Sequence, residues 1–142
     1  MKKIYSLLLV VLISSCNKKV PITITKVEGS PEYENAKLSL DSIYQKDKND
    51  FLFSFDVENY NLGEQTEKNF DFQLANSDKG QHIHLIINND PYYAKYTNNF
   101  SQSLATDNNV ILPFLSRSYH ESVKNENAYI ITQTGESNSI DL

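Results

Sequence analysis

The chain lacks tryptophan altogether and carries one methionine, one cysteine, four glycines and four prolines in 142 residues. Its only arginine is Arg117. A single thiol cannot close an intramolecular disulfide, so the fold must stand on packing alone. Amphipathic helical periodicity is scarce, which argues against a helical bundle. Thirteen basic residues face 18 acidic ones, a net charge of −5. An acidic surface argues against nucleic acid as a partner and against electrostatic adhesion to anionic lipid. The apolar run near the N-terminus, about ten residues, is too short for a permanent membrane span.

That run has a different meaning. Lys2 and Lys3 precede it, and Ser14-Ser15-Cys16 follows Leu12-Ile13. A basic start, a short apolar core and small residues before a cleavage point make a secretory signal peptide over residues 1–15. Cysteine directly after the small pair resembles the lipobox of bacterial lipoproteins, with Ile13 where leucine is commoner. In that reading Cys16 is acylated, with palmitate among its chains, and anchors the protein. An ordinary signal peptide with a cysteine by chance is the alternative. Without residues 1–15, 127 of the 142 residues remain, enough for one domain. The loss of Lys2 and Lys3 takes the net charge to about −7. Residues 16–21 form a tether that reaches only about 17 Å, so the domain sits close to its membrane, at the periplasmic face or the outer membrane.

Nine tyrosines and seven phenylalanines suit a pleated, half-buried β surface. Period-2 alternation predicts strands over Ile22–Val27, Ala36–Ile43, Phe51–Val57, Gln81–Asn88, Val110–Leu115 and Ala128–Thr132, with Tyr92–Tyr96 a short edge strand. Asn88-Asn89-Asp90-Pro91 is a turn signal and Leu104–Asn109 a polar reversal. The expected fold over residues 22–133 is an all-β, immunoglobulin-like antiparallel sandwich of about six to seven strands. Glu58–Lys79 is polar and unpatterned, a length usually either functional or disordered. Residues 134–142 read as a tail.

The chemistry concentrates in two places. In Gly80-Gln81-His82-Ile83-His84 a strand turns Ile83 one way and both histidines the other. Two imidazoles at that spacing, about 7 Å between Cβ atoms, can meet one metal ion. The third and last histidine, His120, lies in Ser116-Arg117-Ser118-Tyr119-His120-Glu121. Folded alongside, it completes a three-histidine site suited to zinc or copper, with Glu121 or Asp90 as an oxygen ligand or as an acceptor that orients an imidazole. Imidazoles merely hydrogen-bonded to backbone are the alternative. Arg117, with Ser116, Ser118, His120 and Glu121, offers a fork and hydroxyls to a phosphate or carboxylate; an arginine holding its own loop is the plainer reading. Tyr92, Tyr93 and Tyr96 are a stacking platform for sugar or peptide, or a cap on the sandwich end. No nucleophile elbow or carboxylate-rich metal motif is present, so no enzyme is expected.

These segments, with Asn89-Asp90-Pro91-Tyr92, Phe114-Leu115-Ser116-Arg117-Ser118-Tyr119-His120-Glu121-Ser122-Val123-Lys124, Gly29-Ser30-Pro31-Glu32-Tyr33 and Val57–Thr66, resemble a family of Gram-negative bacterial lipoproteins of uncharacterised function, some labelled phosphopeptide-binding. The resemblance covers nearly the whole chain after Cys16. It implies that the His-x-His strand and the Ser-Arg-Ser-Tyr-His-Glu-Ser loop form one site. It also implies further β segments beyond Leu142, which would make Thr134–Leu142 the start of a linker. The expected function is a lipid-anchored binding module of the cell envelope that holds a transition metal. The alternatives are phosphate or phosphopeptide recognition around Arg117, or a structural envelope component without ligand.

Overall fold

A computed structural model describes residues 21–24, 28–71, 73–105 and 108–135. The described residues contain seven strands and no helix. They are β1 (Lys37–Gln45), β2 (Asp50–Glu58), β3 (His82–Ile87), β4 (Tyr93–Lys95), β5 (Asn99–Ser103), β6 (Asn109–Ser116) and β7 (Thr132–Thr134). One sheet has the order β1-β2-β5 and the other β4-β3-β6-β7, and every pairing is antiparallel. Chain-adjacent strands β2 and β3, β4 and β5, and β5 and β6 lie in different sheets, which is the three-plus-four arrangement of an immunoglobulin-like sandwich.

The alternating residues build the core as their period demands. Phe53 and Phe55 of β2 bury fully against Leu38 of β1, and Phe100 of β5 stacks on both at 5.6 and 5.7 Å. The opposing sheet contributes Ile83, Leu85 and Ile87 of β3 with Ile111 and Leu115 of β6. Each such side chain contributes about 1.5–3 kcal/mol by leaving water, which is how a chain with no possible disulfide holds together.

Several expectations change. Pro21–Ile24 is not a strand, and Ile22 and Ile24 are 93% and 95% exposed; the rest of that predicted strand and all of residues 1–20 lie outside the described residues, as do 136–142. The last strand begins at Thr132, not Ala128, although Ile130 N–H still donates to Pro113 O and Tyr129 bridges Phe114. β5 was not expected. Leu104, assigned to a polar reversal, is a core residue.

The described residues between β2 and β3 form coil. Tyr60 buries its ring and donates its hydroxyl to Ser116 O at 2.8 Å. Thr66 and Ser118 bind reciprocally, each backbone N–H donating to the other's hydroxyl at 3.1 and 3.0 Å. Ser77 N–H donates to Ser118 O at 2.8 Å. The segment is therefore laced to the loop that follows β6.

Candidate metal centre

β3 sets the first two side chains. Ile83 and Leu85 point into the core, so His82 and His84 stand on the outer face of their sheet. Even so, His82 is 0% and His84 4% exposed. The cover comes from the next hairpin. Asn88 and Asn89 both take left-handed backbone (φ 52° and 64°), the turn Asn tolerates best after Gly, and return β4 along β3. Ala94 pairs with His84 in register, and the ring of Tyr92 lies flat on that imidazole, centroids 3.8 Å apart. Tyr96 packs 5.0 Å from His82 and shares a hydrogen bond with Ser77 Oγ.

The third side chain arrives on the loop after β6. Arg117 N–H donates to Glu121 O and His120 N–H to Arg117 O, closing a three-residue turn on His120. His120 sits at φ +66°, a position glycine normally fills in such loops. Holding a histidine there costs about 1–3 kcal/mol. Its ring centroid lies 5.2 Å from that of His82 and 5.7 Å from that of His84. One ligand nitrogen from each of the three falls within 4.8 Å of the others. The geometry can hold a metal ion. Tetrahedral zinc at bonds of about 2.0–2.1 Å wants nitrogens about 3.3 Å apart, closer than the 4.8 Å that encloses this group.

Protonation suits the same chemistry. His82 Nδ1 lies 2.8 Å from Gly80 O, a pure acceptor, so the proton is on Nδ1 and Nε2 is the acceptor nitrogen. Metal-ligating imidazoles are usually anchored in this way, through the far nitrogen to a backbone carbonyl or carboxylate. Nε2 of His82 accepts from Nε2–H of His84 at 2.8 Å, so an ion bound through both nitrogens replaces that bond and shifts the His84 proton to Nδ1. Burial depresses the basicity of His84 to a pKa of about 4, aided by the neighbouring charges of His82 and His120. Burial also lowers His82, against the opposing pull of its bond to Gly80. Both imidazoles are neutral at pH 7, the state that binds metal.

Gly80 makes this anchoring possible. It adopts φ +84°, and a Cβ there would sit 2.5 Å from Glu64 O. The close approach is held by Gln81 N–H to Glu64 O and Gly63 N–H to Gln81 O, at 2.7 and 2.8 Å. Gln81 extends the clamp: its Oε1 accepts from Tyr33 and Thr66, and its Nε2 donates to Asn61 O. None of these supporting roles shows in the residue pattern, apart from a glycine directly before a strand.

The anion site around Arg117 is not formed. Arg117 is 2% exposed, and its guanidinium donates to Pro31 O and to Ser122 O while lying over the Tyr33 ring. Its Nε, in the described structure, has no hydrogen-bond partner. Ser116 and Ser118 are fully buried and serve the backbone. Glu121 accepts from Ser30 Oγ at 2.6 Å and stands 4.0 Å from Arg117, apart from the histidine group, and Asp90 does not join that group either. The crevice beside Arg117 and Lys124 is lined by Glu28, Glu32 and Glu121, which repel a phosphate. Nor do the tyrosines make one platform: alternation along β4 leaves Tyr93 on the other side, beside Lys95.

Phe114 meets the His84 ring edge-on at 5.0 Å and also borders an apolar groove of about 530 Å³ with Leu112, Tyr129 and Ile131. Set against family models, curated proteins and solved structures, the chain matches none of them.

Proposed function

We propose that this protein is a lipid-anchored binding module of the bacterial cell envelope that takes up a transition metal ion, zinc or copper, through His82, His84 and His120. The convergence of the chain's three histidines on one point carries the metal reading. Burial of two of them in neutral form and the Gly80 anchor on His82 support it. Imidazole donors suit zinc and copper. The envelope location rests on the Lys2–Cys16 pattern of the sequence.

Calorimetric titration of the chain from Cys16 onward with zinc and copper(II) tests the metal. The expected result is one ion per chain at micromolar affinity or tighter, lost in His82→Ala and His84→Ala. At a hundredfold excess over Kd the ion stabilises the fold by about 2.7 kcal/mol, a rise in Tm of several degrees. No binding heat with an unchanged Tm refutes it. Radiolabelled palmitate should enter the protein in a bacterial host and be lost in Cys16→Ser; an unlabelled wild-type protein would remove the anchor.

A further inference from the structure

The donor set is electrically neutral. Among the described residues no aspartate, glutamate or cysteine joins the three imidazoles, so an ion bound there keeps both positive charges. Zinc and copper(II) commonly take four or more donors, and three histidines leave at least one position to a ligand from outside. The fold also decides which way that position faces. His82 and His84 are sealed beneath, whereas His120 and Tyr92 form an exposed rim. The Tyr92 hydroxyl stands at this rim, 3.4 Å from His120 Nδ1, while that of Tyr96 is engaged with Ser77.

Resting on the metal reading above, we infer that the loaded site takes a small anion, a hydroxide or carboxylate, as its outer ligand, with the Tyr92 hydroxyl as hydrogen-bond donor to it. Charge selects the anion, because nothing in the cluster offsets the ion. Position selects Tyr92, because it is the hydroxyl at the open rim of the group. At a solvent-exposed rim a single phenol donor strengthens binding roughly three- to tenfold.

The test uses cobalt(II) as a spectroscopic stand-in for zinc and azide as the anion, on the chain from Cys16 onward. Azide should shift the visible cobalt bands with a saturable dependence, and Tyr92→Phe should weaken azide roughly three- to tenfold. Cobalt occupancy is measured alongside, so that azide is compared on loaded protein. Cobalt bands that azide leaves unmoved would mean that a protein group fills the position, overturning this inference while the metal reading stands. Equal azide affinity in Tyr92→Phe would overturn the role of Tyr92. Absence of cobalt bands, with no binding heat for zinc, would instead overturn the metal reading itself.

Discussion

Tyr92 and His84 lie face to face, their ring planes 7° from parallel and their centroids 3.8 Å apart. The phenol ring thus shields an imidazole that strand geometry alone would leave on the outer face of the sheet. Because desolvation is the main cause of the depressed pKa of His84, removing the shield should restore basicity. Tyr92→Ala is expected to raise the His84 pKa from about 4 toward the ordinary value, read by NMR titration of its ring protons. The lost ring pair should cost about 0.5–1.5 kcal/mol of stability. An unmoved His84 titration would show that other groups keep it dry.

The same depression predicts how stability follows pH. In the unfolded chain His84 titrates near the ordinary value of about 6.5, whereas in the fold it does so at about 4. Between those values the unfolded state binds the extra proton. The contribution is therefore complete above about pH 6.5 and is lost as pH falls through about 4, on the order of 3 kcal/mol in all. His82 shifts in the same direction. Urea unfolding between pH 7.5 and pH 4, compared between wild type and His84→Gln, should show a steeper decline in the wild type. Parallel curves would sink the assignment.

At Gly80 the constraint is steric. A methyl group there meets Glu64 O and the Gly63 carbonyl at 2.5 Å, and the backbone at φ +84° is one that side chains rarely adopt. Gly80→Ala should destabilise the fold by about 2 kcal/mol or more. It should also weaken zinc, because Gly80 O orients His82. Unfolding midpoints and calorimetry report the two effects separately, and a variant as stable as wild type would show that the 63–64 segment can give way.

Arg117 acts as an internal strut. Its guanidinium ties Pro31 and Ser122, segments far apart in sequence from each other, and a lysine cannot span both carbonyls. Arg117→Lys should lower stability by about 2–3 kcal/mol, the cost of leaving buried polar groups unmet. Phosphoserine peptide should produce no chemical-shift change at Arg117 in the wild type. Saturable shifts there would revive anion recognition.

How much of this was legible in the residues depends on where the partner of each residue lies. Leu38 and Leu40 of β1, the Phe51–Val57 alternation of β2 and Ile83, Leu85 and Ile87 of β3 show their core faces directly, since period 2 is a property of one strand. β5 hides because Asn99-Phe100-Ser101-Gln102-Ser103 has one large apolar residue and pairs on one side only. Ile22 and Ile24 mislead in the opposite sense, alternating without a core to face. The common face of His82 and His84 was readable from spacing. Their burial was not, because Tyr92, Tyr96 and His120 reach them from other segments. For Arg117 the residues left an open fork and a loop-holding role side by side, and the backbone carbonyls of Pro31 and Ser122 that engage its guanidinium could not be read from the pattern.

His120 separates a metal ligand from a structural histidine. Its left-handed backbone costs free energy that glycine would not pay, and its exposed ring buries little in return. If the ring serves the fold, His120→Gly should be destabilising. If it serves a metal, the metal-free variant should match or exceed wild-type stability, within about 1 kcal/mol, since the relieved strain roughly offsets the greater freedom of glycine in the unfolded chain. His120→Asn, which tolerates the same backbone, should behave alike without that added freedom. Both variants should bind zinc at least about tenfold more weakly, for want of one donor. Urea unfolding in chelator and calorimetry with zinc check the two halves together, and a large loss of stability in both variants with zinc affinity intact would return His120 to the fold.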